Sequence, residues 1–308
     1  MKASLKQLRY FVAVADCRKV ADAAKLLHVS QPALSAALAQ LESIWDTQLF
    51  IRHKAQGVSL TNSGELLLKH TRHLLQQAHS LEDYVRDLNE QVIGDIKIGC
   101  FSTLGPLYIP QLLQQAQTDY PELNIQILEG DLEQLEANLL NGQLELALSY
   151  GLDQHSRIHY EPLADSLPYV LLPESHPLCE YDSLSLEQLY TEPFILLDLP
   201  HSGDYFLSLF QQIGHQPKIA YRSRSFEMIR CMVASGRGFS LLNQRLRTNQ
   251  AYNGGTLRMI PLKSDQTRPL PIVIARHVDL MPSMRARLVT SLIHKIINQA
   301  NIAEDNKN

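Results

Sequence analysis

Long apolar runs are missing from this 308-residue chain, and a helix of about 18 consecutive apolar residues, the usual mark of a membrane span, cannot be drawn anywhere along it. The N-terminal segment has charges at both ends of a short apolar stretch and no small-residue cleavage site, so it does not read as a secretory leader. Both absences lead to the expectation of a cytoplasmic protein with no membrane partner. Cysteine is scarce: Cys17, Cys100, Cys179 and Cys231 are scattered, with no CxxC pair and no histidine at ligand spacing, so neither a metal site nor a cofactor is expected. In a reducing compartment each thiol reads first as a small buried hydrophobe. Catalytic signatures are absent as well. No GxSxG, HExxH or phosphate-cradling glycine loop occurs, and Asp198 and His201 have no nucleophile at a recognised spacing, which argues against an enzyme. Positive charge is also in short supply, since the net charge of −4 excludes a chain that simply coats nucleic acid.

The basic residues that do occur are unevenly placed. Residues 1–60 carry eight Lys and Arg against four Asp and Glu, a local excess of +4 that leaves the rest of the chain at −8. Within this segment, residues 20–42 read as a helix-turn-helix. Val20, Ala23, Ala24 and Leu27 fall at helical spacing, His28-Val29 breaks the pattern, and Ser30-Gln31-Pro32 restarts it. Ser30 is the expected N-cap, and Pro32 sits in the first turn, where a missing N–H costs little. Ala33, Leu34, Ala37, Leu38 and Leu41 form the packing stripe, leaving Gln31, Ser35 and Gln40 on the free face. Ahead of it, Leu5, Leu8, Phe11, Val12 and Ala15 predict a packing helix. Behind it, two β-prone runs flank Lys54-Ala55-Gln56-Gly57 and predict a hairpin wing edged by Arg52, His53 and Lys54. Beside a helix-turn-helix, that basic cluster reads as a phosphate contact.

Thr61 to Glu65 caps a long helix expected to run to Val92. Leu67, Thr71, Leu74, Ala78, Leu81, Val85, Leu88 and Val92 recur at alternating spacings of four and three, the seam of a dimerising helix. From Asp95 the texture becomes α/β. Strands at 96–100, 124–128 and 144–148, with helices at about 104–118 and 131–141, predict a βαβαβ unit with a parallel sheet. A second set has strands at 169–172, 194–197, 218–221 and 239–242 and helices at about 203–213 and 225–235. The last strand, 270–275, and the helix from about Pro282 to Ala300 are expected to return to the first unit. The expected layout is therefore a DNA-binding domain over 1–60, a linker helix over 61–93 and a two-lobed domain over 94–308. In that domain lobe I takes about 95–165 plus 266–303 and lobe II about 166–265, with a ligand cleft at the strand ends.

With LKQLRYFVAVA, AAKLLHVSQPALS, QLFIRH and LTNSGELLL in order across roughly the first 66 positions, the chain closely resembles the LysR-type transcriptional regulators. The remainder is similar to their effector domain, which resembles type 2 periplasmic binding proteins; His176-Pro177-Leu178 and residues 233–238 are its clearest local echoes. Asp46 stands where the family usually has glycine, and Ala36 and Ala37 are shorter than the polar side chains many members carry there. The resemblance implies a homodimer assembled into a homotetramer that binds and bends promoter DNA under the control of a small-molecule effector. A symmetric reader implies an interrupted inverted repeat. The DNA-contacting candidates are Ser30, Gln31, Pro32, Ser35, Arg52, His53 and Lys54, with Gln31 first for a base edge. For the effector, loops after strands or at helix starts supply Ser102, Thr103, Tyr150, Gly151, His201, Ser202, Ser223, Ser225 and Phe226, each as readily a cap as a contact. Hydroxyls at helix starts favour a small anion, whereas Tyr150, Tyr205, Phe206 and Phe226 would admit an aromatic ligand. The alternative on the same scaffold is an oxidant-responsive regulator using Cys100 and/or Cys231.

Overall fold

The computed structural model describes residues 2–53, 57–87 and 92–305. The N-terminal unit comprises α1 (Leu5–Cys17), α2 (Val20–Leu26), α3 (Gln31–Trp45), β1 (Phe50–His53), β2 (Gly57–Leu60) and the long α4, described as Asn62–Asp87. Ser4 and Gln7 close a reciprocal capping box at the start of α1. Helix α1 rolls slightly from the expected face: Leu8, Tyr10, Phe11 and Val14 are buried, and Leu5 is left exposed. The Phe11 ring sits at the centre, edge-on to Trp45 and Phe50 with centroids 6.4 and 5.5 Å away. Asp46 ends α3 in the left-handed region at φ 48°, a conformation that Asp tolerates better than most non-glycine residues.

Helix α4 differs from the sequence expectation in one respect. Leu68, Thr71 and Leu75 are buried, with both leucines packed into the N-terminal core, so one apolar face of the helix is covered by its own chain. The seam residues lie beside that face: Leu67 is half-buried against the same core, Ala78 is half-buried, and Leu74 and Leu81 are exposed. Val85 and Leu88 lie outside the residues whose side chains are described.

Next come β3 (Gly94–Phe101), α5 (Gly105–Asp119), β4 (Leu123–Gly130), α6 (Leu132–Leu140), β5 (Leu146–Tyr150) and β6 (Ile158–Ser166). They are followed by β7 (Tyr169–Pro173), β8 (Pro193–Leu197), α7 (Ser202–Gln212), β9 (Lys218–Ser223), α8 (Phe226–Ala234), β10 (Ser240–Leu242) and β11 (Leu257–Pro261). The chain finishes with β12 (Leu270–His277) and α9 (Met284–Asp305). The first sheet has the order β4-β3-β5-β12-β6. Strand β3 runs parallel to both β4 and β5, whereas β12 is antiparallel to both β5 and β6. The second lobe pairs β8 with β9 in parallel and β7 with β10 and β11 in antiparallel fashion, and a single bridge from Phe194 to Phe239 joins the two sets. Strands β6 and β11 escape the sequence reading. Pro162, Glu161 and Asp165 make β6 look like a loop, and β11 is five residues ending in Pro261. Ser166 to Tyr169 and Pro261 to Leu270 are the two crossings between the lobes.

Candidate functional site

The helix-turn-helix presents its second helix through a local chain of causes. Ser30 Oγ accepts the Ala33 N–H at 3.4 Å, and Pro32 occupies the first turn, so α3 starts at Gln31 with that residue exposed. Leu34, Leu38 and Leu41 turn inward, leaving Gln31, Pro32 and Ala36 exposed and Ser35 half-exposed. Gln40 does not share that freedom, because its side-chain oxygen accepts from Gln7 Nε2 at 3.1 Å and ties α3 to α1.

The wing is fixed by Thr61, Gly57 and a residue whose role sequence reasoning did not single out, Glu42. Glu42, near the end of α3, accepts from the backbone N–H groups of Leu49 (2.7 Å) and Phe50 (3.2 Å) and so anchors the start of β1. Thr61 Oγ1 donates to the Gln48 carbonyl at 2.7 Å and accepts from Gly64 N at 2.9 Å, linking the wing base to α4. Gly57, at φ 91°, lets β2 approach the α1–α2 turn; a Cβ there would lie 2.3 Å from the Arg18 carbonyl. On this frame Arg52 and His53 are exposed, and His53 Nε2 is paired with Ser59 Oγ at 2.8 Å. Lys54 lies outside the described residues.

In the two-lobed domain, several residues expected at strand ends meet partners from the opposite lobe. Tyr150, the last residue of β5, is buried against Phe101, and its hydroxyl accepts from Gln244 Nε2; burial pushes that phenol up, far from ionisation. The Gln244 carbonyl in turn accepts from the buried Tyr169 hydroxyl at 2.7 Å. Beside Tyr150, the Thr103 hydroxyl is buried and satisfied by no hydrogen bond of good geometry. Ser166 Oγ donates to the Asn243 carbonyl at 3.1 Å, and Tyr205 donates to the Arg268 carbonyl at 2.5 Å, so both crossings are pinned.

Two further side-chain pairs join the lobes. His201, held at φ 62° at the entry to α7, places Nδ1 2.6 Å from Asp153 and Nε2 3.8 Å from Glu133. Arg224 Nη2 lies 2.6 Å from Asp131, a buried carboxylate that also caps α6 by accepting from Gln134 N at 3.0 Å. His201 and Arg224 come from lobe II and the carboxylates from lobe I. Arg224 lies within the Ser223 to Phe226 segment expected at the pocket, whereas Asp131 was not among the residues expected there, although the spacing Asp131-x-x-Gln134 is a readable capping box.

Other candidates have local roles. Ser202 does not cap α7: His201 holds the cap position, and Ser202 is buried as the first helical residue. Ser225 Oγ caps α8 by accepting from Met228 N at 3.3 Å, and Ser223 Oγ accepts from Ser225 N at 3.1 Å. Phe226 packs against the core, the Ser102 N–H donates to Gly130, and the Gly151 N–H donates to Pro271 across β5 and β12. The four cysteines are free thiols. Cys100 is fully buried in β3, where burial and then the nearby Glu129 carboxylate push its thiol up to about 12. Cys231 is half-buried on α8, its Sγ 3.9 Å from Glu227.

A winged helix-turn-helix with an outward-facing helix start, joined through a long helix to a two-lobed α/β domain with contacts across its cleft, defines an effector-responsive transcription regulator. Family comparison makes the assignment specific. Residues 5–65 match the bacterial regulatory helix-turn-helix protein, lysR family, and residues 89–295 match the LysR substrate binding domain; the chain belongs to the LysR family. It is similar to HinK, a LysR family transcriptional regulator from Pseudomonas aeruginosa, at 35% identity over 96% of this chain and 99% of that one, with a TM-score of 0.65. A full-length OxyR variant from Pseudomonas aeruginosa, 28% identical, gives a TM-score of 0.79 over 96% of this chain and 95% of that one. The DNA-binding transcriptional dual regulator OxyR of Escherichia coli K12 is 26% identical over 305 residues, 96% of this chain and 99% of its own length. Among the described residues no helix is long and apolar enough to cross a membrane.

Proposed function

We propose that this LysR-family regulator binds promoter DNA in the cytoplasm at an interrupted inverted repeat, as a homodimer assembled into a homotetramer, and performs no catalytic turnover. Gln31 and Ser35 read base edges, Ser30 and Pro32 set the helix start, and Arg52, His53 and Lys54 position the wing on phosphates. A small effector carrying an anionic group enters the cleft between the lobes and shifts the equilibrium between their arrangements. The observation that carries the effector reading is the pair of cross-cleft contacts, His201 to Asp153 and Arg224 to Asp131. Arg224 is already held by a carboxylate, so a ligand anion takes over as its negative partner while Asp131 keeps the Gln134 N–H. Thr103 and Tyr150, beside the Gln244 contact between the lobes, supply the polar and aromatic wall.

The oxidant alternative, acting through Cys100 and/or Cys231, draws on relatives named as hydrogen peroxide-inducible genes activators. A thiol raised to about 12 and closed off from solvent is the reverse of a poised thiolate, so Cys100 favours the effector reading. Thermal-shift titration with a panel of small carboxylates, amines and peroxide decides between them. The expected result is stabilisation by one carboxylate, lost in Arg224→Ala. Stabilisation by amines alone, or a response to peroxide alone, overturns the anion assignment.

A further inference from the structure

The linker helix does not merely lead into the effector domain; it docks on it, with one turn making side-chain contacts to three neighbours. Arg72 pairs with Asp16 at the end of α1, and Gln143, with its amide oxygen turned inward, accepts from both Arg72 Nη1 and Nη2 at 3.0 Å. The adjoining His73 ring lies edge-on to the ring of His277, at the end of β12, with centroids 4.8 Å apart. Gly142, at φ 64°, makes room for it, since a Cβ there would stand 2.7 Å from His73 Cδ2. One turn of α4 therefore touches α1, the α6–β5 loop and the end of β12.

The two rings are unusual in what they leave unsatisfied. Nε2 of His73 and Nε2 of His277 are both buried, and neither has a hydrogen-bond partner. His277 itself is 4% exposed. The second nitrogen of each is occupied: His73 is bonded to the Leu140 backbone, and His277 Nδ1 accepts from Asp279 N at 3.2 Å. A buried polar atom without a partner costs stability, so the contact persists only while both rings stay neutral. We propose that the His73–His277 contact is a proton-sensitive clasp between the DNA-binding arm and the effector domain, closed when both rings are neutral and released when they take up protons.

The surrounding charges support that sign. His73 faces Lys69 and His70 on its own helix and His277 across the contact; burial comes first, then His277 and Lys69, in pulling its pKa below the ordinary value. His277 faces Asp279, Arg157, Lys69 and His155. Burial is again the largest cause and lowers its pKa, with Asp279 alone opposing. With folded values depressed below the ordinary 6.5, the released state binds more protons than the closed one. The clasp is intact above that value and weakens as pH falls through it, by up to about tenfold per pH unit for each proton taken up.

Amide hydrogen exchange on the full-length protein at about pH 7.5 and about pH 5.5, corrected for intrinsic exchange, reads the clasp directly. Faster exchange is expected at the lower pH in residues 69–76 and 139–143, with the strands of lobe II unchanged. In the double variant His73→Asn/His277→Phe, which keeps a donor for Leu140 and a ring against α4, this acceleration should vanish. An unchanged wild type, or the same acid acceleration in the double variant, overturns the proposal. If the double variant does not fold, His277→Phe alone should lose part of the pH dependence, and a full response there counts equally against it.

Discussion

Gln31 and Arg52 occupy two kinds of position, and the difference should be measurable. Gln31 stands on the first turn of a capped helix, where its amide can reach a base edge, and Gln31→Ala is expected to cost roughly 1–3 kcal/mol at the preferred site while sparing binding to unrelated DNA. Arg52 sits on the exposed wing, and Arg52→Ala should weaken binding to all sequences and reduce the salt slope by about one. Binding isotherms on promoter and scrambled duplexes across a salt series check both, and unchanged salt dependence in Arg52→Ala would remove the wing from the phosphate interface. These positions were legible in the sequence because their causes are local: Ser30 caps within three residues, and the wing strands flank their own turn. Glu42 was not legible as the anchor of the wing, because its bonds reach seven and eight residues ahead, past the end of its helix.

Helix α4 has two apolar faces, which is why a heptad pattern alone misallocates part of it. Leu68 and Leu75 are one residue out of step with Leu67 and Leu74, and the inner pair belongs to the winged domain. Leu74 and Leu81, exposed and seven residues apart, are the part of the proposed seam that the chain itself leaves uncovered. The variant Leu74→Glu/Leu81→Glu should shift the protein from dimer towards monomer in sedimentation velocity, with far-UV circular dichroism unchanged because neither side chain is in the core. Retention of the dimer would place the interface elsewhere. Strands with apolar runs, such as β7, were readable for the opposite reason: Tyr169 to Leu172 are all buried, so pattern and position agree, while β5 lies two residues beyond its expected span. In β6, by contrast, a half-buried Glu161 and exposed Pro162 and Asp165 hide a full-length strand.

The two lobes are held in register by contacts that no local pattern announces. Arg224 and Asp131 are 93 residues apart and His201 and Asp153 are 48 apart, so each pair exists only once both sheets are built. Removing both side chains in His201→Ala/Arg224→Ala should let the lobes separate, seen as a larger radius of gyration by small-angle scattering of the effector-free protein. An unchanged scattering profile would show that Tyr150, Gln244, Ser166 and Asn243 suffice to fix the arrangement. The insertion of β12 between β5 and β6 carries a further consequence, for the chain as it is made. Strand β5 is complete at Tyr150, but its antiparallel neighbour ends at His277, after all of β7 to β11. At about 5–20 residues per second, the ribosome leaves that edge unpaired for roughly 6–25 s. The strands of the second lobe, contiguous in the chain, can pair as they emerge during that interval. The half of the effector domain translated first is thus the half that closes last, and its open edge is where a chaperone would be needed.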